Sequence, residues 1–143
     1  MTIPAWMLLG FASWTLLLLM VTVGIYRWSL ILTGRREVSS FRADPIEEAD
    51  WHKRGTRAHA NCIENLPVFG AIVMALHVGH VTGFWVDAFS VAILVGRILQ
   101  STVHICFVQT NTAVSFRFSF LCVQLVGFVG LIWIIAARLG GNS

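Results

Sequence analysis

Long apolar runs separated by short polar breaks organise this chain. Four segments, Ala5–Leu32, Arg57–His80, Trp85–Val108 and Val114–Ala137, are each dominated by apolar residues. A helix needs about 20 mainly apolar residues to cross a hydrocarbon core of about 30 Å, so the pattern predicts four membrane-spanning helices. Val81-Thr82-Gly83-Phe84 joins the second to the third, and Gln109-Thr110-Asn111-Thr112 joins the third to the fourth. Connections this short make sequential helices antiparallel neighbours. The expected fold is all-α: one domain over residues 1–143, an integral-membrane, up-down four-helix bundle.

The one long polar stretch, residues 34–56, reads as a loop, with Asp44-Pro45 as a turn inside it. Composition agrees, since 57% of the residues are hydrophobic, 12% are charged and mean hydropathy is +0.76, which excludes a water-soluble surface. The net charge of +3, from ten Lys and Arg against seven Asp and Glu, is too small and too localised for a nucleic-acid partner. Its distribution says more. Arg35, Arg36, Arg42, Lys53, Arg54 and Arg57 cluster in or beside the first connection, whereas the second has no basic residue. The positive-inside rule makes that loop cytoplasmic and puts both termini on the outer side, with Arg138 as the dissenter. Trp6, Trp85 and Trp133 near the outer helix ends, and Trp28 and Trp51 near the inner, fit the same arrangement. Ala5–Tyr26 lacks a preceding basic region and a following small-residue cleavage pattern, so it reads as a retained span. The odd cysteine count, Cys62, Cys106 and Cys122, argues for reduced packing residues.

Ionisable side chains at bilayer depth cost at least about 2.5–3.5 kcal/mol each, so each needs a partner, water or a ligand. On the second helix Arg57, Asn61 and Glu64 are spaced i, i+4, i+7, with Asn65 at the edge of the same face. On the third, Arg97, Gln100, Ser101 and His104 form a stripe at i, i+3, i+4, i+7. With Arg117 near the start of the fourth helix, three helices contribute polar groups to one inner-leaflet region. Glu64 could neutralise Arg97 in a structural network. Yet the arginines outnumber Glu64, so a site built from them is net cationic and suits an anionic ligand, and guanidinium groups bind carboxylates bidentately. His59 points about 200° away from Arg57 around the helix. It does not line that face, and neither haem nor a metal is expected. His77 and His80 read as solvated residues at the opposite surface. Pro67 should kink the second helix, and Gly127 and Gly130 should let helices approach closely.

The run Arg57-Ala58-His59-Ala60-Asn61-Cys62-Ile63-Glu64-Asn65-Leu66-Pro67 closely resembles the signature of the membrane-associated proteins in eicosanoid and glutathione metabolism, the MAPEG family. Val95-Gly96-Arg97 followed by His104 is similar to its third-helix motif, and Ser115-Phe116-Arg117-Phe118 to the segment with its fourth-helix arginine. The resemblance covers about residues 40 to 138, the first helix matching only in character, and its wording is like the family's bacterial branch. It implies a homotrimer that binds glutathione between subunits near the cytoplasmic side and directs the thiolate at lipophilic electrophiles or peroxides. By position it implies that Arg57, Asn61, Glu64, Arg97 and His104 contact glutathione. Arg117 would be catalytic, because a nearby guanidinium favours the thiolate of a thiol whose pKa is ordinarily near about 8.5. His104 stands where well-known animal members carry tyrosine. Arg27, Arg35 and Arg36 compete for any ligand-binding role of the first helix.

The function expected is therefore a membrane glutathione transferase or peroxidase whose lipophilic second substrate enters from the bilayer. A non-catalytic membrane protein that keeps the fold for partner binding is one alternative. A small multi-helix exporter is the other, and the placement of Glu64 among arginines argues against it.

Overall fold

A computed structural model describes residues 1–34, 50–108 and 110–141. Arg35, Arg36, Arg42, the Asp44-Pro45 turn and Gln109 lie outside the described residues. The described residues are helical throughout, apart from caps and turns, and form no strand. Four helical spans, of 30, 29, 23 and 30 residues, are long and apolar enough to cross a membrane.

The first span joins α1 (Ile3–Leu18), a π-helical stretch (Leu19–Ile25) and α2 (Tyr26–Leu32). The π-helical wide turn falls on Val21-Thr22-Val23-Gly24-Ile25, a run of weak helix formers. Tertiary contacts hold it there. His52 Nδ1 lies 2.7 Å from the Thr22 carbonyl oxygen, so this nitrogen must carry the proton and donate. Gly55 lets the next helix close on Thr22, because a Cβ at Gly55 would sit 2.4 Å from the Thr22 methyl.

The second span, α3 (Asp50–Val78), begins seven residues before the expected Arg57, so Asp50–Thr56 is helix rather than loop. The reason is tertiary. Tyr26 stacks on the His52 ring at 4.2 Å between centroids, and His52 is buried against the first span. Asp50 in the first turn also complements the helix dipole. The helix runs on through Pro67 to a turn in which the Val81 N–H bonds to the Leu76 carbonyl.

α4 (Phe84–Cys106) and α5 (Asn111–Gly140) make the most extensive helix pair. The start of α5 is capped by the Thr110 hydroxyl, which accepts from the Ala113 N–H at 3.2 Å. Close approach is bought with glycine: a Cβ at Gly127 would sit 2.7 Å from Ile93 Cγ1, and one at Gly130 would sit 2.8 Å from the Phe89 ring. The buried core runs through Phe11, Cys62, Phe69, Ile93, Phe128 and Leu131. Of the three free cysteines, Cys62 is buried, Cys122 half-buried and Cys106 exposed, so the packing role fails for Cys106.

This geometry fixes a stability test. Gly127→Val should lower resistance to heating in detergent by about 1–3 kcal/mol, the usual cost of overpacking. Combining it with Ile93→Ala, which removes the atoms the new side chain meets, should cost less than the sum of the two single losses. Strict additivity would show that the close approach is not a packing requirement.

Candidate functional site

Antiparallel packing gathers the start of α3, the end of α4 and the start of α5 at one end of the bundle. There a cavity of about 240 Å³ opens between them, lined by Asn61, Arg97, Gln100, Ser101, His104 and Arg117 with Ala58, Val114, Phe118 and Leu121. The predicted α4 stripe thus faces the cavity as a unit.

Arg97 is the deepest charge. It is 1% exposed, and its guanidinium lies over the Phe11 ring of α1, 5.7 Å from the centroid. Its Nε and Nη2 are buried and have no hydrogen-bond partner among the described residues. The expected neutralisation by Glu64 is not made as a direct contact, because Glu64 sits on an exposed face of α3. The Arg97 backbone is tied in place instead. The Ser101 hydroxyl donates to the Arg97 carbonyl at 2.8 Å. That hydroxyl proton being used, the Cys62 thiol, 3.6 Å away, donates to Ser101 Oγ.

His104 and Arg117 bond across the α4–α5 boundary. A guanidinium has only donors, so His104 Nδ1 must accept, which makes the ring neutral with its proton on Nε2. That Nε2 is buried and has no partner among the described residues. In this tautomer the ring carries a hydrogen-bond donor at Nε2.

A third polarity is set by Gln124, fully buried on α5. Its side-chain nitrogen lies 3.0 Å from the Phe120 carbonyl, which can only accept. The same nitrogen donates to Gln100 Oε1 at 3.0 Å. The Gln100 oxygen is therefore engaged, and its NH₂ is the end left to donate to the cavity. Gln124 Oε1 is buried without a partner among the described residues, which costs about 1–3 kcal/mol.

Of the residues named from sequence, Asn61, Arg97, His104 and Arg117 meet at the cavity. Arg57 and Glu64 do not line it; with Asn61 they are exposed on one face of α3. Arg54, one turn from Arg57, uses its Nε on the Ile105 carbonyl at 3.3 Å, at the end of α4. His59 is half-buried and outside the cavity lining. Sequence reasoning placed Gln100 and Ser101 on the stripe without giving them a role. It missed Gln124, whose signal was a carboxamide in mid-span, and Phe11, for which there was none.

The chain matches the family described as MAPEG family over residues 5–137. No curated protein and no solved structure matches it. The family match reaches back to residue 5, so it includes the first helix, which the resemblance at residues 40 to 138 had left out. The match takes in the second and third spans whole and all but the outer ends of the first and fourth, and this membrane protein belongs to the MAPEG family, the proteins of eicosanoid and glutathione metabolism.

Proposed function

We propose that the protein is a membrane glutathione transferase or peroxidase that binds the tripeptide at this cavity and activates its thiolate. What carries the reading is the polarity of the lining: Arg97, Gln100, His104 and Arg117 all turn donors to one space. Such a surface fits an acceptor-rich anion, and glutathione carries two carboxylates. Arg97, Gln100 and the His104 Nε2–H would hold a carboxylate, and Asn61 a peptide group.

Arg117 would face the sulfur. Its positive charge favours the thiolate over the thiol, the proton passing to solvent. The thiolate then forms a C–S bond with an electrophilic carbon and displaces the leaving group. With a hydroperoxide it takes the terminal oxygen instead, releasing an alcohol and glutathione sulfenic acid, which a second glutathione converts to the disulfide and water. Phe118, exposed at the cavity's edge, supports entry of a lipophilic substrate from the bilayer.

Size and polarity support an oligomer. A cavity of about 240 Å³ falls below the roughly 300–1,000 Å³ of sites that enclose a small molecule, so one protomer supplies part of a site. The exposed Arg57, Asn61 and Glu64 lie within a membrane-spanning helix, where lipid is a costly neighbour. A second protomer on this α3 face, in a homotrimer, would cover them and bring Arg57 and Glu64 to the ligand. The cluster of basic residues in and beside the first connection supports a cytoplasmic orientation for this end.

Two substitutions separate the roles. In calorimetry on detergent-purified protein, with thiolate followed by ultraviolet absorbance, Arg117→Ala should remove the thiolate signal and lower turnover about a hundredfold. An undiminished signal would take the activating role away from Arg117, and wild-type protein that binds no glutathione would sink the reading. His104→Asn keeps an acceptor near the Nδ1 position but lacks the Nε2 donor. It should weaken glutathione binding while the thiolate of bound glutathione persists; equal loss of both would assign His104 only the task of holding Arg117.

A further inference from the structure

The opposite end of the α4–α5 pair carries a larger hollow of different character. It measures about 620 Å³, and every side chain lining it is apolar. Trp85 and Trp133 wall it, Val126 and Val129 border it, and Phe89 with Gly130 forms its floor. Gly130 gives the groove its depth, because the Phe89 ring occupies the place of its missing side chain. Past Ile134 the groove runs into a second hollow of about 450 Å³, which shares Trp85, Trp133 and Ile134 with the first and ends at Arg138 and Thr82-Gly83.

Helical spacing explains the alignment. Gly130, Ile134 and Arg138 stand at i, i+4 and i+8, on one stripe of α5. Arg138, exposed, therefore sits about 12 Å along the helix from Gly130 and about 8 Å beyond Trp133, toward the helix end. The start of α4 borders the same hollow and has no side-chain cap among the described residues, so its first N–H groups add to the positive field. Asp87, the acid in that first turn, lines a separate cavity with His77 and His80. The groove lies about 20 Å along α5 from Arg117, which separates it from the candidate glutathione site.

We propose that this groove is a binding site for an anionic phospholipid, with one acyl chain between Trp85 and Trp133 and the phosphate at Arg138. The site is independent of the glutathione reading, and it gives Arg138, the basic residue on the wrong side by the positive-inside rule, a partner. A zwitterionic lipid fills the same groove but gains less from the guanidinium. One arginine near a membrane surface contributes about 1 kcal/mol toward an anionic headgroup, or about a fivefold preference.

The test uses the whole chain in phosphatidylcholine vesicles, with Trp6, Trp14, Trp28 and Trp51 replaced by phenylalanine so that only Trp85 and Trp133 report, and follows quenching of their fluorescence by phospholipids brominated in their acyl chains. Brominated phosphatidylglycerol should quench at about a fivefold lower fraction than brominated phosphatidylcholine. Arg138→Gln should bring the two to parity, Arg138→Lys should keep the preference, and Val126→Phe, which fills the groove from an exposed position, should weaken quenching by both. The proposal is overturned if the wild type shows no preference, if Arg138→Gln retains it, or if Val126→Phe leaves quenching unchanged. A change of oligomeric state in Val126→Phe would overturn it too, because it would seat a second copy of the chain in the groove.

Discussion

A guanidinium removed from water costs several kcal/mol even after local relaxation, and the arrangement of the bundle around Arg97 follows from that cost. Phe11 covers its face, a contact worth about 0.5–2 kcal/mol. Ser101 and Cys62 fix its backbone and join α4 to α3, but they give nothing to the charge itself. Two of its nitrogens, Nε and Nη2, are buried without a hydrogen-bond partner among the described residues. An anion arriving from the cavity side would offset the desolvation, so the same residue that strains the fold supports the binding reading.

Donor polarity at the cavity is set through short chains of hydrogen bonds. The Phe120 carbonyl fixes the orientation of Gln124, and Gln124 in turn fixes Gln100. Arg117 fixes the tautomer of His104. Each step transmits a constraint from a group that can only accept, or only donate, to one that could do either. The result is a lining rich in donors, from Arg97, Gln100, His104 and Arg117, which would suit a ligand whose carboxylates need neutral donors as well as arginines.

The four spans were legible because lipid imposes a composition on about 20 residues at a time, and a signal of that length survives local irregularity. The start of α3 at Asp50 was not legible. It depends on His52 reaching a carbonyl in a π-helical turn of the first span and on Tyr26 stacking above it, contacts between segments far apart in sequence. The polar stripes show the same division. Spacing fixes the angles between residues on one helix, so Arg97, Gln100, Ser101 and His104 were rightly grouped. It does not fix the rotation of a helix against its neighbours, so spacing alone could not show that Arg57 and Glu64 turn away from the cavity of their own protomer.

That rotation carries a consequence of its own. The exposed face of α3 is polar at Arg57, Asn61 and Glu64 and apolar farther along, at Ala71, Met74 and Val78. A face turned to lipid along its whole length would be apolar throughout, and one turned to water would be polar throughout. A split face fits a partner surface that is itself polar near the cavity and apolar beyond it, which a second copy of this chain in the proposed oligomer would supply. In the proposed reading, an oligomer and an anion would both answer one imbalance: among the described residues, the protomer places more polar groups at this end of the bundle than it pairs.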